Sequence, residues 1–173
     1  MLELDAKWSA MIAEAEQRAA DTDRHLVAEY LRLKARNDAI RGEAASWLFA
    51  SFIEAAAEAQ RRISAITIER DDPHRFALGN SSMSGALLQI RLGVRCLSVE
   101  AGWVRTPSDG VMFGKAFAAA RIRHFGFPKH GDTLHLLYRG DLPKWHIVRE
   151  DEDPTEFTTG RLAEHIALLI DDA

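Results

Sequence analysis

The chain has 173 residues, one cysteine and a formal net charge of −4, with 47% hydrophobic and 28% charged residues. That balance excludes an intrinsically disordered chain, and a lone Cys96 excludes an internal disulfide framework. No apolar run reaches the roughly 20 residues that a bilayer-spanning helix needs. The early acids Glu3, Asp5, Glu14 and Glu16 do not fit a signal peptide, so a soluble, cytoplasmic protein is expected.

Charge is segregated along the chain. Residues 1–60 carry 7 Lys+Arg against 11 Asp+Glu, residues 61–149 carry 14 against 7, and residues 150–173 carry 1 against 8. A basic middle beside an acidic end points either to an anionic partner or to attraction between two parts of one chain. In the second case the acidic loop 150–157 would lie over the basic segment until a partner displaced it.

From Leu4 to Leu33, apolar or small residues recur at Leu4, Trp8, Met11, Ala15, Ala19, Thr22, Leu26, Tyr30 and Leu33. These steps of three and four make one stripe on an α-helix, with a weak point at Asp21-Thr22-Asp23. Asn37-Asp38 reads as a break, Asn as a left-handed cap and Asp as a fresh N-cap. Ile40 to Arg62 is then a second helix, with Trp47, Phe49, Phe52 and Ile53 on a wide apolar arc. An unbroken helix over 4–62 would measure about 88 Å, too long to lie on one sheet. The two helices are therefore expected to form a hairpin or to pair with a second copy.

At Ser64 the period changes from helical to alternating. Ile66 and Ile68 begin a strand, Asp71-Asp72-Pro73 reads as a turn, and GNSSMSG at 79–85 reads as a loop. Leu88, Ile90 and Leu92 follow, then Leu97, Val99 and Ala101 beyond Gly93. Residues 111–125 keep Met112, Gly114, Ala116, Ala118, Ala120 and Ile122 in strict alternation, and we read them as a strand. Leu134, Leu136 and Tyr138, then Trp145 and Ile147, complete the alternation before Thr158 or Thr159 caps a last helix. The expected fold is α+β: two N-terminal helices, a six- or seven-stranded antiparallel meander forming a bent sheet or partial barrel, and one C-terminal helix. Residues 1–62 are the helical segment and 63–173 the sheet with its helix, together one compact unit. In topology alone the meander closed by a helix resembles pleckstrin-homology-like domains, which implies nothing about function.

Motifs for catalysis are absent. GVMFGK at 110–115 is one residue short of a P-loop, and Ser81, Ser82 and Ser84 have no identifiable base. Cys96, among Val94, Leu97 and Val99, reads as a small buried hydrophobe. His130, Asp132 and His135 could supply three ligands to a metal such as zinc, but His135 lies an odd number of residues from the other two and should face the opposite side of a strand.

The arginines are more informative. Arg75, Arg91, Arg95, Arg105, Arg121 and Arg123 lie in or beside expected strands, and a sheet face carrying them would meet anions. The aromatic residues Trp103, Phe125, Phe127 and Trp145 lie nearby and are the type that stack on bases, yet a pI near 6.0 does not mark a dedicated nucleic-acid binder. The expectation is a non-enzymatic binding or regulatory module. It self-associates as a homodimer through Trp47, Phe49, Phe52 and Ile53, and it meets an acidic protein or small anionic ligand through Arg75, Arg91, Arg95, Arg105, Arg121 and Arg123. Alternatives are nucleic-acid binding by the same arginines and a metal-dependent enzyme at His130, Asp132 and His135. No cofactor and no membrane contact are expected.

Overall fold

The computed structural model describes residues 2–171, with side chains from residue 10 onward. The stripe positions Leu4 and Trp8 therefore have side chains outside the described residues. Two compact units are present, Met1–Ala39 and Ile40–Ala173.

Helix α1 runs from Leu2 to Gln60, so one N-terminal helix stands where two were expected. The reason is local. At the first suspected break Thr22 Oγ1 donates to the Arg18 carbonyl, and Asp21 accepts from Gln17 and Arg24. Those side chains are satisfied one turn away along the helix rather than as caps. Asn37 and Asp38 each cost less than about 1 kcal/mol inside a helix, and neither glycine nor proline stands beside them to stop it. Within Met1–Ala39 the large apolar residues Met11, Ile12, Leu26, Val27, Tyr30, Leu31 and Leu33 are all exposed.

The second unit holds one antiparallel sheet in sequential order. Its strands are β1 (Thr67–Leu78), β2 (Ser81–Leu92), β3 (Arg95–Trp103), β4 (Ala119–His124), β5 (Asp132–Tyr138), β6 (Pro143–Val148) and β7 (Thr155–Glu156); α2 (Thr159–Ile170) follows. Strand alternation sends Leu88 and Ile90, Leu97 and Val99, Ala120 and Ile122, and Leu134 and Leu136 to one face, where all are buried. The closing stretch of α1 covers this inner face with Ala45, the adjacent pair Leu48 and Phe49, Phe52, Ala56 and Ala59, successive turns of one helix face, together with Leu162, Ile166 and Leu169 of α2.

Three strand boundaries differ from the sequence reading. Asp71-Asp72-Pro73 is a bulge within β1, since pairing with β2 resumes at His74. The 79–85 loop shrinks to a two-residue hairpin, because Leu78 pairs with Ser81 and Gly79 alone takes a positive φ of 58°. Residues 111–125 are not one strand. Gly110, Gly114 and Lys115 have positive φ, a 3-10 turn occupies Phe113–Lys115, and β4 begins only at Ala119. Met112 and Phe117, an odd number of residues apart, both pack against the core, so the alternation over 112–118 does not mark a strand there.

A buried polar chain ties α2 to the sheet. His165 Nε2 lies 2.9 Å from Asp132 Oδ2, and His124 Nε2 lies 2.9 Å from His165 Nδ1. A carboxylate only accepts, so His165 donates to Asp132, and one proton is shared between the two rings. Arg161 Nε donates to the same Asp132 oxygen at 2.7 Å, and Arg149 approaches the other at 3.6 Å. Burial works to raise the Asp132 pKa, but the His165 and Arg161 hydrogen bonds outweigh it and hold the carboxyl well below its usual range. His124 is pushed down to about 4, first by burial and then by the charges of His165, His130 and Arg161.

Two outcomes follow for stability. Asp132→Ala removes the buried acceptor of His165 and leaves Arg161 with only its exposed partner Glu164 among the described residues, and it should cost about 3 kcal/mol in chemical denaturation, as breaking a buried ionic contact does. His124 has a folded pKa below its unfolded 6.5, so the unfolded chain takes up the proton first as pH falls. Stability is therefore whole above pH 6.5 and declines towards about 4, by on the order of 3 kcal/mol for this residue. His135, lowered by burial, adds a decline of the same sign. The pH dependence of the denaturation midpoint should flatten in His124→Asn; an unchanged slope would show that the ring does not titrate in this way.

Candidate anion-binding cleft

The outer face of the sheet carries the charge. Pairing registers align its residues in rows: Arg91 with Cys96, then Glu69, Gln89, Ser98 and Arg123, then Leu87, Glu100 and Arg121. Over the first two rows lies a cleft of about 600 Å³, with Arg91, Arg123, Gln89, Ser98 and Cys96 on its floor and Val94, Phe125 and Pro128 around it. The hairpin that turns at Gly93 places Val94, 90% exposed, at the rim. Phe125, 74% exposed, follows the end of β4.

The two arginines differ in engagement. Arg91 donates to Gln89 Oε1 at 3.0 Å and makes no ion pair among the described residues. Arg123 reaches Glu100 at 3.2 Å, a carboxylate it shares with Arg121 at 2.8 Å and His74 at 3.0 Å. Burial works to raise the Glu100 pKa, but hydrogen bonds from Arg121 and His74 and the charges of Arg123 and Arg121 bring it below normal. Glu100 thus faces two guanidinium groups and an imidazole; Glu69, in the row of Gln89, Ser98 and Arg123, is a second acid near the cleft, so Arg91, Arg121 and Arg123 exceed the two carboxylates by one charge.

The other arginines disperse. Arg75 pairs with Asp109 at 2.7 Å and Ser82 at 3.2 Å. Arg95 donates to the Leu169 carbonyl of α2. Arg105 stacks over Trp103, 3.8 Å from the ring centroid, in a separate cleft of about 440 Å³ that Phe49, Arg70 and Ser84 also line. The Trp103 indole N–H is buried without a protein partner. Of six candidate arginines, the outer face therefore gathers Arg91, Arg121 and Arg123. Nor does the acidic loop cover them: its contacts are Arg149 to Glu152, Lys144 to Glu156 and Arg139 to the Pro154 carbonyl.

The proposed metal ligands do not converge. Asp132 points to α2, while His135 pairs across from His146 in the register of the opposite face, and His130 sits in the 3-10 turn Pro128–His130. Among the described residues no three His, Cys, Asp or Glu side chains are grouped to hold a metal ion. Of the self-association candidates, Phe49 and Phe52 are core, Ile53 packs partly against it, and Trp47 is 46% exposed. Trp47 lines a more apolar cleft of about 610 Å³ with Ile40, Leu142, Pro143, Trp145 and Phe157, which sequence periodicity did not reveal. Its cation Lys144 is already paired with Glu156. No helix among the described residues is long and apolar enough to cross a membrane.

Comparison with protein-family models, with curated proteins and with solved structures finds no match for this chain. The chemistry of the cleft must be read from its own atoms. Burial raises the Cys96 thiol pKa further than Arg91 lowers it, so the sulfur is a protonated thiol at neutral pH rather than a nucleophile. Cys96 should therefore react with a disulfide reagent more slowly than free cysteine at pH 7.5, and Arg91→Ala should slow it again. Faster reaction than free cysteine would contradict this account of the cleft floor.

Proposed function

We propose that this chain is a non-enzymatic binding module that self-associates through its long helix and takes an acidic peptide segment on the outer face of its sheet. One observation carries the ligand half: Arg91 and Arg123 stand in a cleft with the Ser98 hydroxyl and the Gln89 amide, and Val94 and Phe125 border it. Guanidinium groups present paired donors that match a carboxylate. An apolar rim adds contact area for neighbouring side chains of an extended peptide. The protonated Cys96 thiol supports binding over covalent chemistry.

A second reading, single-stranded nucleic acid, is favoured by the exposed Phe125 and Phe127 beside these arginines. The same experiment separates the two. Fluorescence anisotropy with labelled Glu- and Phe-containing hexapeptides should show binding that weakens with salt. The Arg91→Ala/Arg123→Ala pair should weaken it at least tenfold, about 1.4 kcal/mol. Equal affinity of the double variant would remove the cleft from the proposal. Binding of a labelled oligothymidine in place of the peptides, lost in the same variant, would transfer it to nucleic acid.

A further inference from the structure

The helical unit Met1–Ala39 has its own unmet surface. Met11, Leu26, Tyr30 and Leu33 are each more than half exposed, and Val27 and Leu31 widen the apolar arc at the later end. The stripe repeats every eleven residues, with Leu4, Trp8, Met11, then Ala15, Ala19, Thr22, then Leu26, Tyr30, Leu33. Eleven residues in three turns is about 3.67 per turn, slightly above the 3.6 of a straight helix. Helices with this repeat keep one seam facing a partner with a nearly straight or gently right-handed crossing, unlike the left-handed coil of a heptad. The absence of a heptad therefore does not exclude pairing here.

Charge identifies the partner and its direction. Residues 1–17 hold four acids (Glu3, Asp5, Glu14, Glu16) against one base, Lys7, whereas residues 24–36 hold four bases (Arg24, Arg32, Lys34, Arg36) against one acid, Glu29. A second copy aligned in parallel would set like charge beside like charge. Reversed, it sets the acidic end of each helix along the basic end of the other. We infer that the 2–36 stretch of α1 pairs antiparallel with the same stretch of a second copy, about a two-fold axis near Ala19. Such an interface is isologous, each contact occurring twice. Met11 then falls opposite Val27, Ile12 opposite Leu26, and Glu14 opposite Arg24. The small Ala15, Ala19 and Thr22 let the backbones approach at the centre while the bulky ends pack. The present partners of Glu14 and Arg24 are exposed neighbours on the same helix, Arg18 and Asp21, which hold them only weakly.

The inference rests on the self-association half of the reading above and is independent of the arginine cleft. Light scattering of the full chain at up to about 200 µM should give twice the 19.3 kDa chain mass. Leu26→Glu with Tyr30→Glu should return a monomer with unchanged far-ultraviolet dichroism, the positions being exposed. Orientation is read in a Cys96→Ser background by mild oxidation. Met11→Cys chains mixed with Val27→Cys chains should cross-link to each other, whereas Met11→Cys chains alone should not, their sulfurs being set about 24 Å apart by sixteen helical residues. A monomer throughout, or ready cross-linking of Met11→Cys to itself, would overturn the antiparallel pair. Arg91→Ala/Arg123→Ala should remain a dimer, so peptide affinity unchanged in that variant, with the dimer mass retained, would fault the cleft and leave this pairing standing.

Discussion

The second unit depends on one constraint: the inner face of a seven-stranded meander is apolar along its central strands and must be covered. Leu48, Phe49, Phe52 and Ala56 of α1 cover one part, and Leu162, Ile166 and Leu169 of α2 another. Hydrophobic burial is non-directional, so it would tolerate sliding of α2 along the sheet. The Asp132–His165–His124 chain, braced by Arg161, supplies the direction. Its groups are satisfied in one register only, and any other would leave a charge buried without a partner.

Covering one face decides where charge can go. With alternate residues committed inward, the intervening positions of β2, β3 and β4 face outward together, and strand pairing lines them up in rows. Arg91, Arg123 and Arg121 become neighbours although they are far apart in sequence. Glu100 is the one acid placed among the latter two, and it is shared with His74. Of the acidic residues after β6, Glu152 pairs with Arg149 and Glu156 with Lys144, while Arg139 donates to the Pro154 carbonyl. The charge segregation along the chain is therefore partly neutralised within the sheet's later strands, while Arg91 and Arg123 remain at the cleft.

The single helix α1 shows how the same local structure serves two environments. Its later turns bury Leu48 and Phe52 completely, whereas its earlier turns leave Leu26 and Tyr30 in solvent. Side-chain bonds one turn away carry it through Asp21-Thr22-Asp23, and helix propensity through Asn37-Asp38, positions whose residue types favour caps. Capping residues stop a helix only when the backbone beyond them has somewhere better to go. No tight turn was available there without glycine or proline.

Periodicity alone identified the α+β class, the antiparallel meander and the closing helix, because a half-buried strand must alternate and a half-buried helix must repeat every three or four residues. It also placed His135 on the face opposite Asp132, and Arg121 on the same face as Arg123. Tertiary structure decided the rest. Residues 112–118 alternate like a strand, but the positive φ at Gly114 and Lys115 takes them out of the sheet, and alternation carries no record of φ. Only the strand registers brought Arg91 and Arg123 to one cleft, sent Arg75, Arg95 and Arg105 elsewhere, and closed His124, His165 and Asp132 into a chain. Such groupings arise from residues tens of positions apart, and their meeting depends on the turns between them, whose geometry local composition does not specify.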